Sequence, residues 1–391
     1  MKKVLIYGFF NFPRMSANAN YAQYLALALK EIGYEVAINS PVDVKKCEKI
    51  GSRFLYKGIR VLPINLKRNK IGHYLDYQFR LGCYFIKAID EFGLQRGDMA
   101  IGYIPDGRAI DKVKRICNQR GIILCHCIDE MFEDSIVNEM PFVRRINYKR
   151  ALYKSLLDVD YIFPISSYIQ NYYSKLGKKT FVIPIMADCS EYDTTHYTQQ
   201  DVVKIIYPAN GMIKENFADM IRGVSGLPAD VLNKLEIHFT GIKSDTFKKY
   251  GLGDILIKLE NNLILHDWLE YDQLIELYKQ MDYLLLVRGR SRTTLANFPS
   301  KIPEAMTYGV VPICSKVGDY TKLYLKDRVN CIMIDGCSAD KCCDVVSYAT
   351  RLTKEKRMEL SDNAKKCVKE KFDYHVWAEK IMHYFQDEGL M

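Results

Sequence analysis

The chain has 391 residues, 48% of them hydrophobic and 26% charged, a profile that suits two soluble α/β domains and is too long for one ordinary core. No stretch approaches the ~18 consecutive apolar residues that a spanning helix needs. The net charge of +9 is uneven: residues 1–190 hold 29 Lys and Arg against 18 Asp and Glu, and the remainder holds 27 against 29.

The opening apolar run stops at Asn11, Pro13 and Arg14 with no small-residue cleavage site, so it reads not as a signal peptide but as a first strand at 3–7. A loop containing Ser16 and Asn18 leads to Tyr21, Leu25, Ala28 and Leu29 at helical spacing, and Gly33 stops that helix. Further strands are expected at 35–39, 99–104, 122–125, 161–165 and 181–185. Strands alternating with amphipathic helices imply a parallel, doubly wound sheet. The polar, aperiodic segment 192–200 reads as a linker. Alternation then restarts, with strands expected at 204–207, 236–240, 263–266, 283–287, 310–314 and 331–334. The domain boundaries that follow are 1–190, 200–372 and a last segment, 373–391. That segment carries Trp377, Ile381 and Tyr384-Phe385 on one helical face.

The twelve cysteines are scattered and lie mostly in apolar contexts, such as Cys125, Cys314 and Cys331, which fits buried thiols in a reducing, cytoplasmic compartment. Cys125-His126-Cys127 and Cys342-Cys343 lack a second ligand pair at zinc spacing. Asp158-Val159-Asp160 has the form of a metal–nucleotide motif but precedes its strand, at the wrong end of a sheet, so no metal site is expected. Basic clusters at Lys45-Lys46, 67–70 and 144–150 suit either a solvated surface or an anionic membrane face. No nucleic-acid-binding motif accompanies them, so nucleic acid is not an expected partner.

In open parallel sheets ligands bind beyond the carboxyl ends of strands, which directs attention to four strand-to-helix turns. In 297–313, Ser300 stands as a helix N-cap, with Lys301 in the first turn and Glu304 one turn on. A lysine there opposes the helix dipole, and a bound phosphate would relieve the conflict. A carboxylate in the same place suits neutral hydroxyls such as a ribose diol. In 207–216 a strand enters a loop with Gly211 and Lys214, the lysine either meeting a diphosphate or standing solvated. Arg288 ends an apolar strand, where a guanidinium can fork onto a phosphate or form a salt bridge. The turn 265–269 holds His266, read as structural, and Trp268, which either stacks on a base or fills the core. In the first half, His126, Asp129 and Glu130 gather at a strand end as candidates for acid–base work, with Asp106 another.

The run 299–313, Pro-Ser-Lys-Ile-Pro-Glu-Ala-Met-Thr-Tyr-Gly-Val-Val-Pro-Ile, resembles the signature helix of glycosyltransferase family 4, in the branch with a Pro-Ser-Lys-x-x-Glu pattern. Glu304 falls on the family's second motif glutamate, which binds the nucleotide ribose. Ala296 occupies the position of the first, which usually contacts the transferred sugar. Lys214 falls on the donor-phosphate lysine, and Ala209 replaces the family's arginine five residues earlier, a role that Arg288 is placed to supply.

The resemblance implies a GT-B fold, with two Rossmann-like domains, an interdomain cleft and a C-terminal crossover helix. It also implies a nucleotide-diphospho-sugar donor, no cofactor or metal, and retention at the anomeric carbon. A glycan or lipid-linked acceptor in cell-surface polysaccharide synthesis is the expectation, with a peripheral location on the inner face of the membrane. The alternatives are a nucleotide-sugar epimerase of the same fold and a non-catalytic binding homologue.

Overall fold

The computed structural model describes residues 1–13, 16–66, 69–191, 201–208 and 214–391. The chain forms two compact units, one of residues 1–186 with 374–391 and one of residues 187–373.

Unit 1 is built on a nine-stranded sheet of β1 (Lys3–Gly8), β2 (Glu35–Ser40), β3 (Glu48–Ile50), β4 (Arg53–Tyr56), β5 (Ile59–Pro63), β6 (Met99–Tyr103), β7 (Ile123–Ile128), β8 (Tyr161–Pro164) and β9 (Lys179–Thr180), in the order β3-β4-β5-β2-β1-β6-β7-β8-β9. Every pairing is parallel except β3–β4 and β4–β5. The central strands β1, β2, β6 and β7 are buried along nearly their whole length and are mostly apolar, as expected of parallel strands covered on both faces. The β3–β5 meander was not anticipated, although Lys57 and Gly58 both adopt positive φ (47° and 71°), the signature of a two-residue hairpin turn. Its strands are short and partly exposed, so they lack a buried strand's apolar run.

The expected strand at 181–185 is not regular. Phe181 and Ile183 still donate to Ile162 O and Pro164 O at 3.1 and 3.0 Å, and the pairing stops where β8 itself ends at Pro164.

The helix Tyr374–Asp387 packs on the helix Ala17–Glu31 within unit 1. Trp377, Ala378, Ile381 and Phe385 are buried, and the Phe385 ring lies 6.0 Å from those of Tyr34 and Phe163. The chain end is tied down as well, since Tyr34 Oη and Lys2 Nζ donate to Leu390 O at 3.0 and 2.9 Å.

Unit 2 has a six-stranded, all-parallel sheet of β10 (Val203–Pro208), β11 (Leu235–Thr240), β12 (Leu263–His266), β13 (Tyr283–Leu286), β14 (Val311–Ser315) and β15 (Ile332–Ile334). Its order, β12-β11-β10-β13-β14-β15, is the Rossmann arrangement, in which the direction of winding reverses between the first and fourth strands. That switch point lies between β10 and β13. The helices Phe217–Ser225 and Ala339–Thr350 meet across Gly223, where a Cβ would stand 2.5 Å from Ala339 O, so only glycine allows this approach.

All twelve cysteines are free. Among the described residues no helix is long and apolar enough to cross a membrane, and no group of three or more His, Cys, Asp or Glu could hold a metal ion. Asp160 serves β7 instead, accepting from the Leu124 N–H at 2.8 Å, and Asp158 pairs with Lys114 at 3.0 Å.

Candidate active site

The chemistry of unit 2 gathers where its winding reverses. Because β10 and β13 are neighbours, residues 214–216 come to lie beside the residues that follow β13. Asn216 N–H donates to Val287 O at 2.8 Å, and Arg288 N–H donates to Ser315 Oγ at 3.0 Å. These bonds fix the backbone on which Glu215 and Arg288 sit.

Arg288 is 4% exposed and Glu215 7%. The guanidinium donates to Glu215 Oε1 from Nη2 at 2.6 Å and from Nε at 3.2 Å, and from Nη1 to Asn297 Oδ1 at 3.0 Å. A cation this far from water needs an anion, and Glu215 supplies it. Burial acts to raise the Glu215 pKa. The attraction of Arg288 and Lys301, the hydrogen bond from Arg288 and a smaller attraction from Lys214 outweigh it, and hold the carboxyl below the ordinary glutamate value.

Lys301 opens the helix Lys301–Thr307. Burial lowers its pKa below the ordinary lysine value, Glu215 and Glu304 pull it up, and Arg288 pushes it down. Lys214, Glu215, Arg288, Lys301 and Glu304 therefore share one electrostatic neighbourhood although three separate segments supply them. Tyr278 lies beside it, its hydroxyl pKa raised by burial and by Glu304, and its ring stacks on Tyr308 with centroids 6.4 Å apart. Gly211 lies outside the described residues.

The expected N-cap at Ser300 is not made. Ser300 already has helical dihedrals, φ −58° and ψ −27°, and its side chain makes no capping bond. The turn begins one residue earlier, with Ile302 N–H donating to Pro299 O at 3.1 Å, whereas a capping side chain requires an extended backbone. Trp268 is 61% exposed, which removes the core-filling alternative. The His266 ring stacks on His238 at 5.2 Å, and His238 Nδ1 lies 3.0 Å from His266 Nε2. Burial lowers the His238 pKa to about 4.

In unit 1 the three candidates separate. His126 is inside β7, not at its end, and is 2% exposed. Its Nδ1 is 2.8 Å from Cys127 O, and burial lowers its pKa to about 4, leaving it neutral near pH 7. Gly102 lies against it, where a Cβ would stand 2.6 Å from His126 Cδ2 and 2.7 Å from Tyr7 Oη. Asp129 and Glu130 do follow the carboxyl end of β7 and are half-buried. Tyr103 Oη donates to Asp129 Oδ2 at 2.9 Å. Asp106 is a helix cap, its Oδ1 accepting from Ala109 N–H at 2.8 Å.

Glu215 and Asn297 were not legible as site residues. The available signal was Arg288 itself: an arginine ending a buried central strand demands a counter-ion, and the loop after the neighbouring strand is where one can stand.

Residues 195–367 match the family described as Glycosyl transferases group 1. No curated protein sequence matches the chain. Among solved structures it is similar to sucrose-phosphate synthase from Thermosynechococcus elongatus, with a TM-score of 0.70 at 11% identity over 99% of both chains. It is similar to a glycosyltransferase from Rickettsia africae, with a TM-score of 0.68 at 12% identity over 99% of both chains. HepE from Anabaena in complex with UDP gives 0.69 at 13% identity, over 98% of this chain and 100% of that one. At such identities the likeness establishes the fold, which is that of two-domain GT-B proteins.

Proposed function

We propose, from the match of residues 195–367 to the family described as Glycosyl transferases group 1, that the protein transfers a sugar from a nucleoside-diphosphate donor held by unit 2. The observation that carries this reading is the convergence of Lys214, Arg288 and Lys301 with Glu304 at the switch point of the second sheet. Switch points are where α/β sheets take nucleotides. Three cations there would balance a diphosphate and stabilise it as a leaving group while negative charge develops, with no metal ion required. Glu304 would accept hydrogen bonds from the ribose hydroxyls. A carboxylate suits neutral donors and is repelled by phosphate. Crossing the family pattern, Ala296 leaves the transferred sugar without its usual glutamate contact, and anomeric retention is part of the proposal.

Glu215 adds a step that the family pattern does not name. Its own carboxylate fills the Arg288 fork. A diphosphate approaching Arg288 would exchange for Glu215 or share the guanidinium with it, so part of the binding energy goes to that exchange. Asp129, held by Tyr103, is proposed as the acceptor-side carboxylate of unit 1. His126 is too buried to touch a substrate.

The acceptor class is a glycan or a lipid-linked saccharide, motivated by the basic first half of the chain. The test is a thermal-shift screen against UDP, GDP and ADP, followed by hydrolysis and transfer assays with the matching labelled nucleotide sugar. Stabilisation by one diphosphate, turnover lost in Lys214→Ala and weakened donor binding in Glu304→Ala are expected. Absence of any nucleotide-dependent shift would sink the reading.

A further inference from the structure

We propose that Tyr207 is a positioning residue of unit 2: its hydroxyl takes up the Glu215 carboxylate when a diphosphate occupies the Arg288 guanidinium. The exchange presupposes the donor site proposed above, and it supplies the place where the displaced anion goes.

Tyr207 stands one residue before the end of β10 and is fully buried. Its ring is wedged in the core of the unit, with centroids 6.1 Å from Phe217 and 5.6 Å from Phe239. Phe217 in turn packs against Phe247 and Tyr250 at 5.3 and 5.6 Å. A ring on a central strand, packed against other rings, keeps its hydroxyl in one place. That hydroxyl makes no hydrogen bond among the described residues. An unmade hydrogen bond of a buried hydroxyl is costly, and native proteins hold few of them.

The charged side chains that act on this hydroxyl are Glu215 and Arg288. Burial pushes its pKa well above the ordinary tyrosine range, Glu215 adds to the rise and Arg288 opposes it. The hydroxyl therefore keeps its proton and can donate it to a carboxylate. Glu215 is two residues before Phe217, whose ring packs on that of Tyr207, and the backbone between them is pinned by the Asn216–Val287 bond. Both hydrogen bonds from Arg288 fall on a single carboxylate oxygen, Oε1. The torsions of a glutamate side chain let the carboxylate turn from the guanidinium to the hydroxyl while the backbone stays in place.

The energetics favour such a receiver. Once phosphate oxygens hold the guanidinium, Glu215 is a buried anion deprived of its closest cation, which is strongly unfavourable. Lys301 still attracts it, and a hydrogen bond from Tyr207 offsets more of the loss, because bonds to charged groups are among the stronger ones. No proton moves in the exchange: the hydroxyl stays protonated and the carboxylate ionised.

The test compares wild type, Y207F, E215Q and Y207F/E215Q as full chains, by thermal unfolding without ligand and by calorimetric titration with UDP, GDP and ADP. Without ligand, Y207F is expected to unfold no earlier than wild type, because it removes a hydroxyl that has no partner. It is expected to bind the preferred diphosphate about tenfold more weakly. In transfer assays the loss should appear in the donor KM more than in kcat, since the turned carboxylate is common to the ground and transition states. In the E215Q background the loss should shrink to about twofold, because no anion is displaced there.

Wild-type affinity in Y207F, earlier unfolding of ligand-free Y207F, or an undiminished loss in the E215Q background would each overturn the role of Tyr207 and leave the donor reading standing. Failure of wild type to bind any of the three diphosphates would overturn both.

Discussion

Glu215 Oε1 accepts two hydrogen bonds from the Arg288 guanidinium, at 2.6 and 3.2 Å, with both side chains almost fully withdrawn from water. The two residues are 73 positions apart in sequence and meet because β10 and β13 are adjacent. If the proposed donor site is right, Glu215 is a stand-in for the donor's anion, and that role can be measured.

Glu215→Ala should destabilise the donor-free protein by about 3–5 kcal/mol, because it strands a buried guanidinium. Glu215→Gln keeps the acceptor oxygen and should cost less. Both should bind nucleoside diphosphate more tightly than wild type in calorimetry, with the ligand recovering most of the lost stability. Weaker binding in both would show that Glu215 assists the donor instead of competing with it.

Arg288→Lys should not restore function, since a point charge cannot reproduce the fork shared by Glu215 and Asn297. A fall in kcat of about 10²-fold, the scale for removing one preorganised donor from a transition state, is expected in steady-state assays. Glu304→Gln should mainly raise KM, because it weakens a ribose contact made in both ground and transition states.

The depressed pKa of Glu215 sets the sign of an acid effect. A glutamate whose folded pKa lies below its unfolded value contributes stability that is complete above the unfolded pKa. That contribution is lost as pH falls through the folded one. Urea unfolding should therefore weaken as pH drops below the ordinary glutamate range, and Glu215→Gln should flatten that limb.

His126 gives a second pH window. Its folded pKa, lowered by burial from 6.5 to about 4, lies below the unfolded value, so the unfolded chain binds more protons between the two. Stability should fall as pH drops across that interval, and His126→Gln should remove this part of the slope. The pH dependence of transfer near neutrality should be unchanged in the same variant. Gly102→Ala should destabilise by about 1–3 kcal/mol, because its Cβ meets the His126 ring and the Tyr7 hydroxyl in a packed layer.

Phe385→Ala should cost about 3–5 kcal/mol by emptying a ring site between Tyr34 and Phe163. The loss should appear in the unfolding of unit 1, read for example by protease sensitivity of residues 1–186, and leave nucleotide binding by unit 2 intact.

Periodicity located most of the buried parallel strands of both sheets to within a residue or two, but it ended β7 at 125, three residues short of Ile128, because the imidazole of His126 interrupts the apolar run. It missed β3–β5, whose short, half-exposed strands are specified by the turn at Lys57-Gly58 and not by an apolar run. It also extended β8's neighbour to 185, past the point where β8 itself ends at Pro164. At the site, Lys301 and Glu304 were legible from their place in the first turn of a helix. The cap at Ser300 was misread because Pro299 starts the turn one residue early, and no local rule weighed that alternative.

Residue type and spacing by themselves determined the α/β class, the restart of alternation after residue 200, and the presence of Lys214, Arg288, Lys301 and Glu304 at ends of strands or starts of helices. Only the tertiary structure decided that Arg288 is neutralised by Glu215, that His126 is sealed inside its strand, and that the Tyr207 hydroxyl is buried without a hydrogen bond among the described residues. Local sequence fixes which way a side chain leaves its own backbone. Strand order, which brings distant loops together, and the packing of one helix on another decide what that side chain then meets.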